Sequence, residues 1–290
     1  MRTEQEVMSL ILSVANADKR IRGVMLAGSR ADSSVPKDIY QDYDISFAVT
    51  DVAPFYNNPS WVEKQFGKPL MMQMPETMLG AENDGNFFYL MIFPDGIRID
   101  LSFVFEKYID DGEPVMVLLD KDNGSGFFPQ ININEKYWHI KPPTPLDYYS
   151  CCNEFWWCLN NVVKGIMRDE LPYVMLMINN TSRLELHHMI NWHIGTQHGF
   201  NTSTGKDGKY FKKLLLPKLY SQYAATYSES SYDKIWTSIF VMCDLFHYLA
   251  LAVAEHFNFS YRQDEEDGIR EYLRIASEMQ IVSCDELRNA

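Results

Sequence analysis

The segment that most constrains this chain is DYDISFAVT, residues 42–50. Successive side chains of an extended strand point to opposite faces. One face of this segment reads Asp42, Asp44, Ser46, Ala48 and Thr50, and the other reads Tyr43, Ile45, Phe47 and Val49. Such a strand buries its apolar side against helices and leaves the polar side to water or a ligand. A later segment repeats the pattern. Ile97, Ile99, Leu101, Phe103 and Phe105 share one face, while Arg98, Asp100, Ser102 and Val104 share the other. If both strands belong to one sheet, Asp42, Asp44 and Asp100 converge on a single polar face.

The surrounding patterns predict an α+β N-terminal domain over 1–140, with a mixed sheet and flanking helices. An all-helical C-terminal domain is expected over 141–290. Thr3-x-x-Glu6 reads as a capping box ahead of a helical stripe of Val7, Leu10, Ile11 and Val14. Arg22–Ala27 reads as a strand ending at Gly28-Ser29, and Pro54 and Pro59 confine any helix within 52–66. Lys68–Gln73 and Val115–Leu119 are further strands. Asn86–Phe93 and Ile97–Phe105 flank Pro94-Asp95-Gly96, where proline presets φ and glycine supplies a positive φ, so a hairpin is expected. The pattern changes near KPPTP, residues 141–145. Helices are then predicted over 145–169, 172–195, 209–226, 231–257 and 265–279, with a Gly/Ser/Thr-rich loop at 199–209.

Charge narrows the partners. The chain of 290 residues carries a net charge of −13, and both halves are acidic. Nucleic-acid binding normally shows a basic footprint, so a phosphate polymer is a poor partner and a small cation a better one. Five cysteines without a CxxC pair, at 151, 152, 158, 243 and 284, read as free thiols of a reducing compartment. The N-terminus lacks a signal-peptide layout. The apolar stretch Ile239–Ala254 contains Asp244 and His247 and reads as too short to span a bilayer. A cytoplasmic protein with no membrane partner is expected.

Three carboxylates held close repel one another unless a cation compensates them or some take up protons. Mg²⁺ is the natural candidate, a hard ion that prefers oxygen ligands and phosphate co-ligands. The Gly28-Ser29 turn lies just upstream. Glycine lets a backbone approach a phosphate, and turn N–H groups with a serine hydroxyl can cradle it. Arg30, beside Ser29, is a further phosphate candidate. A lone Asp-x-Asp on a strand is most often a solvated face, and a lone Gly-Ser turn says less. It is their combination with a third acid on a separate strand that points to a site.

Gly28-Ser29, Asp42-x-Asp44 and a later Asp100 together resemble the nucleotidyltransferase superfamily that includes DNA polymerase β. Within it the chain resembles the aminoglycoside 6-adenylyltransferases, which modify streptomycin. The resemblance is carried by LAGSR at 26–30, QDYDISFAVTDV at 41–52, GKPLMMQMPE at 67–76, IRIDLSF at 97–103, VLLDKD at 117–122 and CCNEFWWCLNNVVKG at 151–165. It implies that Asp42 and Asp44 hold Mg²⁺ on the ATP triphosphate and that Gly28 and Ser29 cradle the terminal phosphates. Asp100 would be a third metal ligand, the general base, or both. It also implies a lysine from the helical domain on the triphosphate, with Lys206 as the preferred match and Lys164 as its rival. Two other readings stay open: a different acceptor, whether another small antibiotic or a protein side chain, and a nucleotide-binding regulator without turnover.

A cationic sugar needs acids and aromatic platforms. Glu154 and Trp157, with Trp156 between them in sequence, supply both on the first helix of the second domain. Glu185 is a weaker candidate, and Asp84 and Glu82 sit in a predicted loop. Tryptophans on a helix are more often core, and helix glutamates are more often solvated. His187, His188 and His193 cluster without an HExxH pattern or zinc-spaced cysteines, so a structural role is expected for them.

Overall fold

The computed structural model describes residues 2–33, 35–81, 85–105, 114–123 and 136–279. The chain divides into two compact units, Met1–Tyr137 and Trp138–Ala290.

The first unit is built on a six-stranded sheet with the order β3-β4-β5-β2-β1-β6. Its strands are β1 (Ile21–Ala27), β2 (Tyr43–Val49), β3 (Met71–Gln73), β4 (Phe87–Ile92), β5 (Arg98–Phe105) and β6 (Val115–Asp120). β2 and β5 run parallel, and the other neighbours are antiparallel. β4 and β5 form the hairpin expected around Gly96, which has φ +81°. Parallel neighbours need a crossover, and the chain between β2 and β5 includes helix α2 (Pro59–Phe66).

Alternation sorts the sheet as the sequence requires. Tyr43, Ile45, Phe47 and Val49 are buried with Ile99, Leu101 and Phe103 in one core. Phe103 stacks on Phe55 at 4.5 Å and meets Phe47 edge-on at 5.8 Å. Helix α1 (Glu4–Ala17) adds Val7, Ile11 and Val14 to this core, and its Thr3/Glu6 capping box is formed. The α2 N-cap residue Asn58 is tied in place: Tyr89 accepts from its backbone N–H at 2.6 Å and donates to the Phe55 carbonyl. No helix precedes Pro59 in the 52–66 stretch.

The second unit is helical among its described residues. It contains α3 (Pro145–Met167), α4 (Leu171–Met177), α5 (Arg183–His198), α6 (Phe211–Leu214), α7 (Pro217–Ala225), α8 (Tyr232–Phe257) and α9 (Gln263–Ser277). Two long predicted helices are interrupted. Ile178–Ser182 is a π-helical turn between α4 and α5, where the Thr181 hydroxyl donates to the Met177 carbonyl. The run INNTS is rich in side chains that compete with the helix backbone. Likewise, Leu215 and Leu216 are extended before Pro217, which starts α7.

Helix α8 corrects the length argument against a membrane span. It has 26 residues and is long and apolar enough to cross a bilayer by length and composition alone. Packing assigns it otherwise: Ile235, Ile239, Met242, Phe246, Leu249 and Val253 are all buried in the helical core. Beside it, the buried Glu266 carboxylate is bonded by Tyr261 at 2.6 Å, His247 at 2.7 Å and Arg270 at 2.6 Å. A buried charge requires such partners. Cys151, Cys152, Cys158 and Cys243 are free thiols, and Cys284 lies outside the described residues.

Candidate active site

The polar face of the sheet brings the three acids together. Asp44 pairs in register with Asp100 across the parallel β2–β5 ladder. Asp42 precedes β2 by one residue and shares the face by alternation. One carboxylate oxygen from each of the three lies within 4.8 Å of the others. Two residues further along the same ladder, the Ser102 hydroxyl donates to that of Ser46 at 2.7 Å.

The Gly28 turn fits against this cluster. Ala27, the last residue of β1, is the register partner of Asp44, so the chain leaves β1 directly beside the carboxylate. Gly28 has φ +68°, and a Cβ there would lie 2.3 Å from Asp44 Oδ2. Both the backbone angle and the space therefore demand glycine. Ser29 follows in a single turn, and Gln41 donates to its hydroxyl and its carbonyl at 3.3 Å each. Gln41 thus ties the two halves of the site together, a link that residue type and spacing do not signal.

Arg30 is turned toward the protein. Its side chain is 7% exposed, and its guanidinium donates to the carbonyls of Asp42 at 2.9 Å and Gln41 at 2.8 Å. It also lies 3.9 Å over the Tyr43 ring. Arg30 thus holds the strand entrance that carries Asp42.

The cation at the acids is another arginine. Arg98 grips both oxygens of Asp100, Nε to Oδ1 at 2.8 Å and Nη2 to Oδ2 at 2.5 Å. Its Nη1 stands 3.6 Å from Asp42 Oδ2. The Asp100 hydrogen bonds, and then the charges of Asp100, Asp42 and Asp44, hold the Arg98 pKa above its usual value. The sequence places Arg98 on the polar face, but nothing in the alternation alone gives it a task.

The remaining candidates lie in the second unit, apart from Asp84 and Glu82, which fall outside the described residues. Lys206 lines an open cleft of about 380 Å³ with Trp138, Lys141, His188, Trp192 and Ser203. Lys164 is exposed near the C-terminal end of α3 and is not among these walls. Glu154 and Trp157 both face outward from α3, and Trp157 is 66% exposed. Trp156 is instead core, donating to the Tyr261 hydroxyl at 3.1 Å. Glu154 and Glu185 share a neighbour. Cys158 donates to Glu154 at 3.1 Å, and its thiol is pushed up to about 11 by burial first, then by Glu154, with the Glu185 charge adding. Glu185 also meets His188 at 3.2 Å, which raises the histidine's pKa. His187 is held down to about 4, chiefly by desolvation, and burial lowers His193 as well. Cys151, Glu185 and His188 also bring ligand-type atoms within 4.8 Å of one another, a grouping that the sequence reading does not anticipate. Their interactions are those of an ordinary helix pair: Cys151 donates to the Glu185 carbonyl at 3.3 Å, and Glu185 and His188 are three residues apart on α5.

The chain is similar to known proteins over most of its length. Residues 1–276 match the family described as streptomycin adenylyltransferase. An aminoglycoside 6-adenylyltransferase of Bacillus subtilis (strain 168) is 40% identical over 279 residues, covering 94% of this chain and 97% of the relative. One from Staphylococcus aureus is 35% identical over 283 residues, with 94% and 98% covered. A crystal structure of an aminoglycoside 6-adenyltransferase from Bacillus subtilis aligns at 35% identity and a TM-score of 0.48, covering 96% of this chain and all of that one. The extent of these matches, through both units, places the chain in the streptomycin adenylyltransferase family.

Proposed function

We propose that this protein transfers AMP from ATP to a hydroxyl of an aminoglycoside, the 6-hydroxyl of streptomycin, and does so with Mg²⁺. The observation that carries the reading is the convergence of Asp42, Asp44 and Asp100 within 4.8 Å, closed on one side by a glycine that leaves no room for a Cβ. An all-carboxylate donor set suits a hard divalent ion, and the residues present fit Mg²⁺. Asp42 and Asp44 would hold it, with Asp100 as a third ligand. Bound there, the ion supplies charge stabilisation at the attacking and leaving oxygens.

The acceptor oxygen attacks the α-phosphorus in line, the P–O bond to the β-phosphate breaks, and pyrophosphate leaves. Asp100 takes the hydroxyl proton. Gly28 and Ser29 receive the terminal phosphates, and Lys206, or Lys164 in its place, adds positive charge to them. Most of the remaining rate comes from positioning, as in other phosphoryl transfers. In this reading the first domain, 1–140, is catalytic and the helical domain, 141–290, recognises the acceptor. Glu154 and Glu185 pair with its guanidinium or ammonium groups, and Trp157 offers a face for cation–π contact. Use of ATP as the AMP donor favours the cytoplasm as the place of the reaction. Mass spectrometry of streptomycin after incubation with enzyme, ATP and Mg²⁺ tests the proposal. One added AMP on the 6-position is expected, and an unmodified antibiotic with intact, folded enzyme overturns it.

A further inference from the structure

We propose that Arg98 is a resident counter-ion of the acidic site that competes with the divalent cation for Asp100, so that the metal is taken up with the nucleotide rather than ahead of it. The inference rests on the metal-dependent reading above.

The arrangement follows from strand geometry. Arg98 and Asp100 are two apart on β5 and so share its polar face. Tyr43 is level with Ile99 and Asp44 with Asp100, so one step back along the parallel ladder Arg98 stands level with Asp42. The guanidinium fork takes both oxygens of Asp100 and points its third nitrogen at Asp42. Three carboxylates within 4.8 Å would otherwise repel one another, and Arg98 offsets that repulsion in the metal-free protein.

The same fork obstructs a metal. An ion that takes Asp100 as a ligand must displace at least one N–H and accept a neighbouring positive charge. Metal alone gives Arg98 nothing in return. A nucleoside triphosphate does, because its phosphate oxygens match the guanidinium fork as well as a carboxylate does. It also brings oxygen ligands for the ion. Arg98 is 48% exposed on a flexible stem, so its head can exchange one anion for the other. Metal and nucleotide affinities are then coupled, and by linkage the coupling is reciprocal.

The test is Mn²⁺ titration by calorimetry of wild type, Arg98→Ala and Arg98→Lys, each with and without an ATP analogue carrying a methylene between the α- and β-phosphorus. Without nucleotide, Arg98→Ala is expected to bind Mn²⁺ about tenfold more tightly than wild type, the scale of one charge-assisted hydrogen bond that the metal no longer has to displace. Arg98→Lys should fall between, since an ammonium cannot grip both oxygens. The factor by which the analogue tightens Mn²⁺ binding should shrink in the same order. Unchanged or weaker Mn²⁺ binding in both folded variants overturns the proposal. If Arg98→Ala does not fold, the comparison of wild type with Arg98→Lys decides on the same terms. If wild type binds no Mn²⁺ even with the analogue, the metal reading itself fails, an outcome distinct from equal affinities across the three proteins.

Discussion

Replacing Gly28 with alanine tests the site at its tightest point. Two effects arise, and they separate. The first is the backbone: φ of +68° places any other L-residue in the left-handed region, at about 1–2 kcal/mol. The second is steric. The new Cβ would lie 2.3 Å from Asp44 Oδ2, whereas ordinary van der Waals separation begins at 3.4 Å, so the carboxylate must retreat by roughly 1 Å. The obstructing atom ends a short side chain, so rotation relieves the clash at little further loss of stability. The same rotation moves the Asp44 carboxylate away from its place beside those of Asp42 and Asp100. Misplacement on that scale lowers turnover by about 10²-fold.

Gly28→Ala should therefore unfold only slightly earlier in urea while kcat for pyrophosphate release falls by about two orders of magnitude. Gly199→Ala is the control. That glycine has φ +59° at the end of α5, and a Cβ there meets nothing within 4 Å. It should lose similar stability and keep full activity. The reasoning is refuted if Gly28→Ala is destabilised yet turns over like wild type, since Asp44 would then not need its observed place.

Asp44→Asn should weaken Mg·ATP binding and abolish turnover together. Asp100→Asn should retain Mg·ATP but slow the single-turnover chemical step by about 10²–10⁴-fold, the worth of a general base, and normal chemistry with lost nucleotide binding would make Asp100 a ligand only. Glu154→Gln should raise KM for the acceptor about tenfold while leaving KM for ATP unchanged, as expected when one charge-assisted hydrogen bond is removed; equal effects on both would place Glu154 elsewhere. His187 titrates near 4 in the folded protein and at 6.5 ordinarily, so the unfolded chain binds the extra proton between these values and stability falls as pH drops through that window. Urea midpoints at pH 7 and pH 5 should differ less in His187→Gln than in wild type, and identical differences would show that the histidine is not desolvated.

What was legible in the sequence follows from what alternation can say. The period-two pattern of DYDISFAVT identified the buried Tyr43, Ile45, Phe47 and Val49 and, by exclusion, the face that holds Asp42 and Asp44. It carried no information on which strands become neighbours. The parallel pairing of β2 with β5 depends on the crossover through α2, so the level placement of Asp44 and Asp100 had to be seen. Helix period was equally blind to breaks. The predicted helix over 172–195 runs through INNTS, which forms a π-helical turn instead.

Arg30 and Arg98 show the same limit at the scale of single side chains. Adjacency to Ser29 suggests a phosphate role for Arg30, but adjacency does not say what else a long side chain reaches. Two carbonyls and the Tyr43 ring lie within reach on the protein side, and the guanidinium takes them. Arg98 is the converse. Its place on the polar face was readable, yet its importance depends on the distance to Asp100 and Asp42, which is a property of the sheet. Alternation that gathers three acids onto one face gathers the intervening arginine with them. A site assembled this way already contains a cation, and any account of how metal reaches these acids has to begin from the guanidinium that holds Asp100.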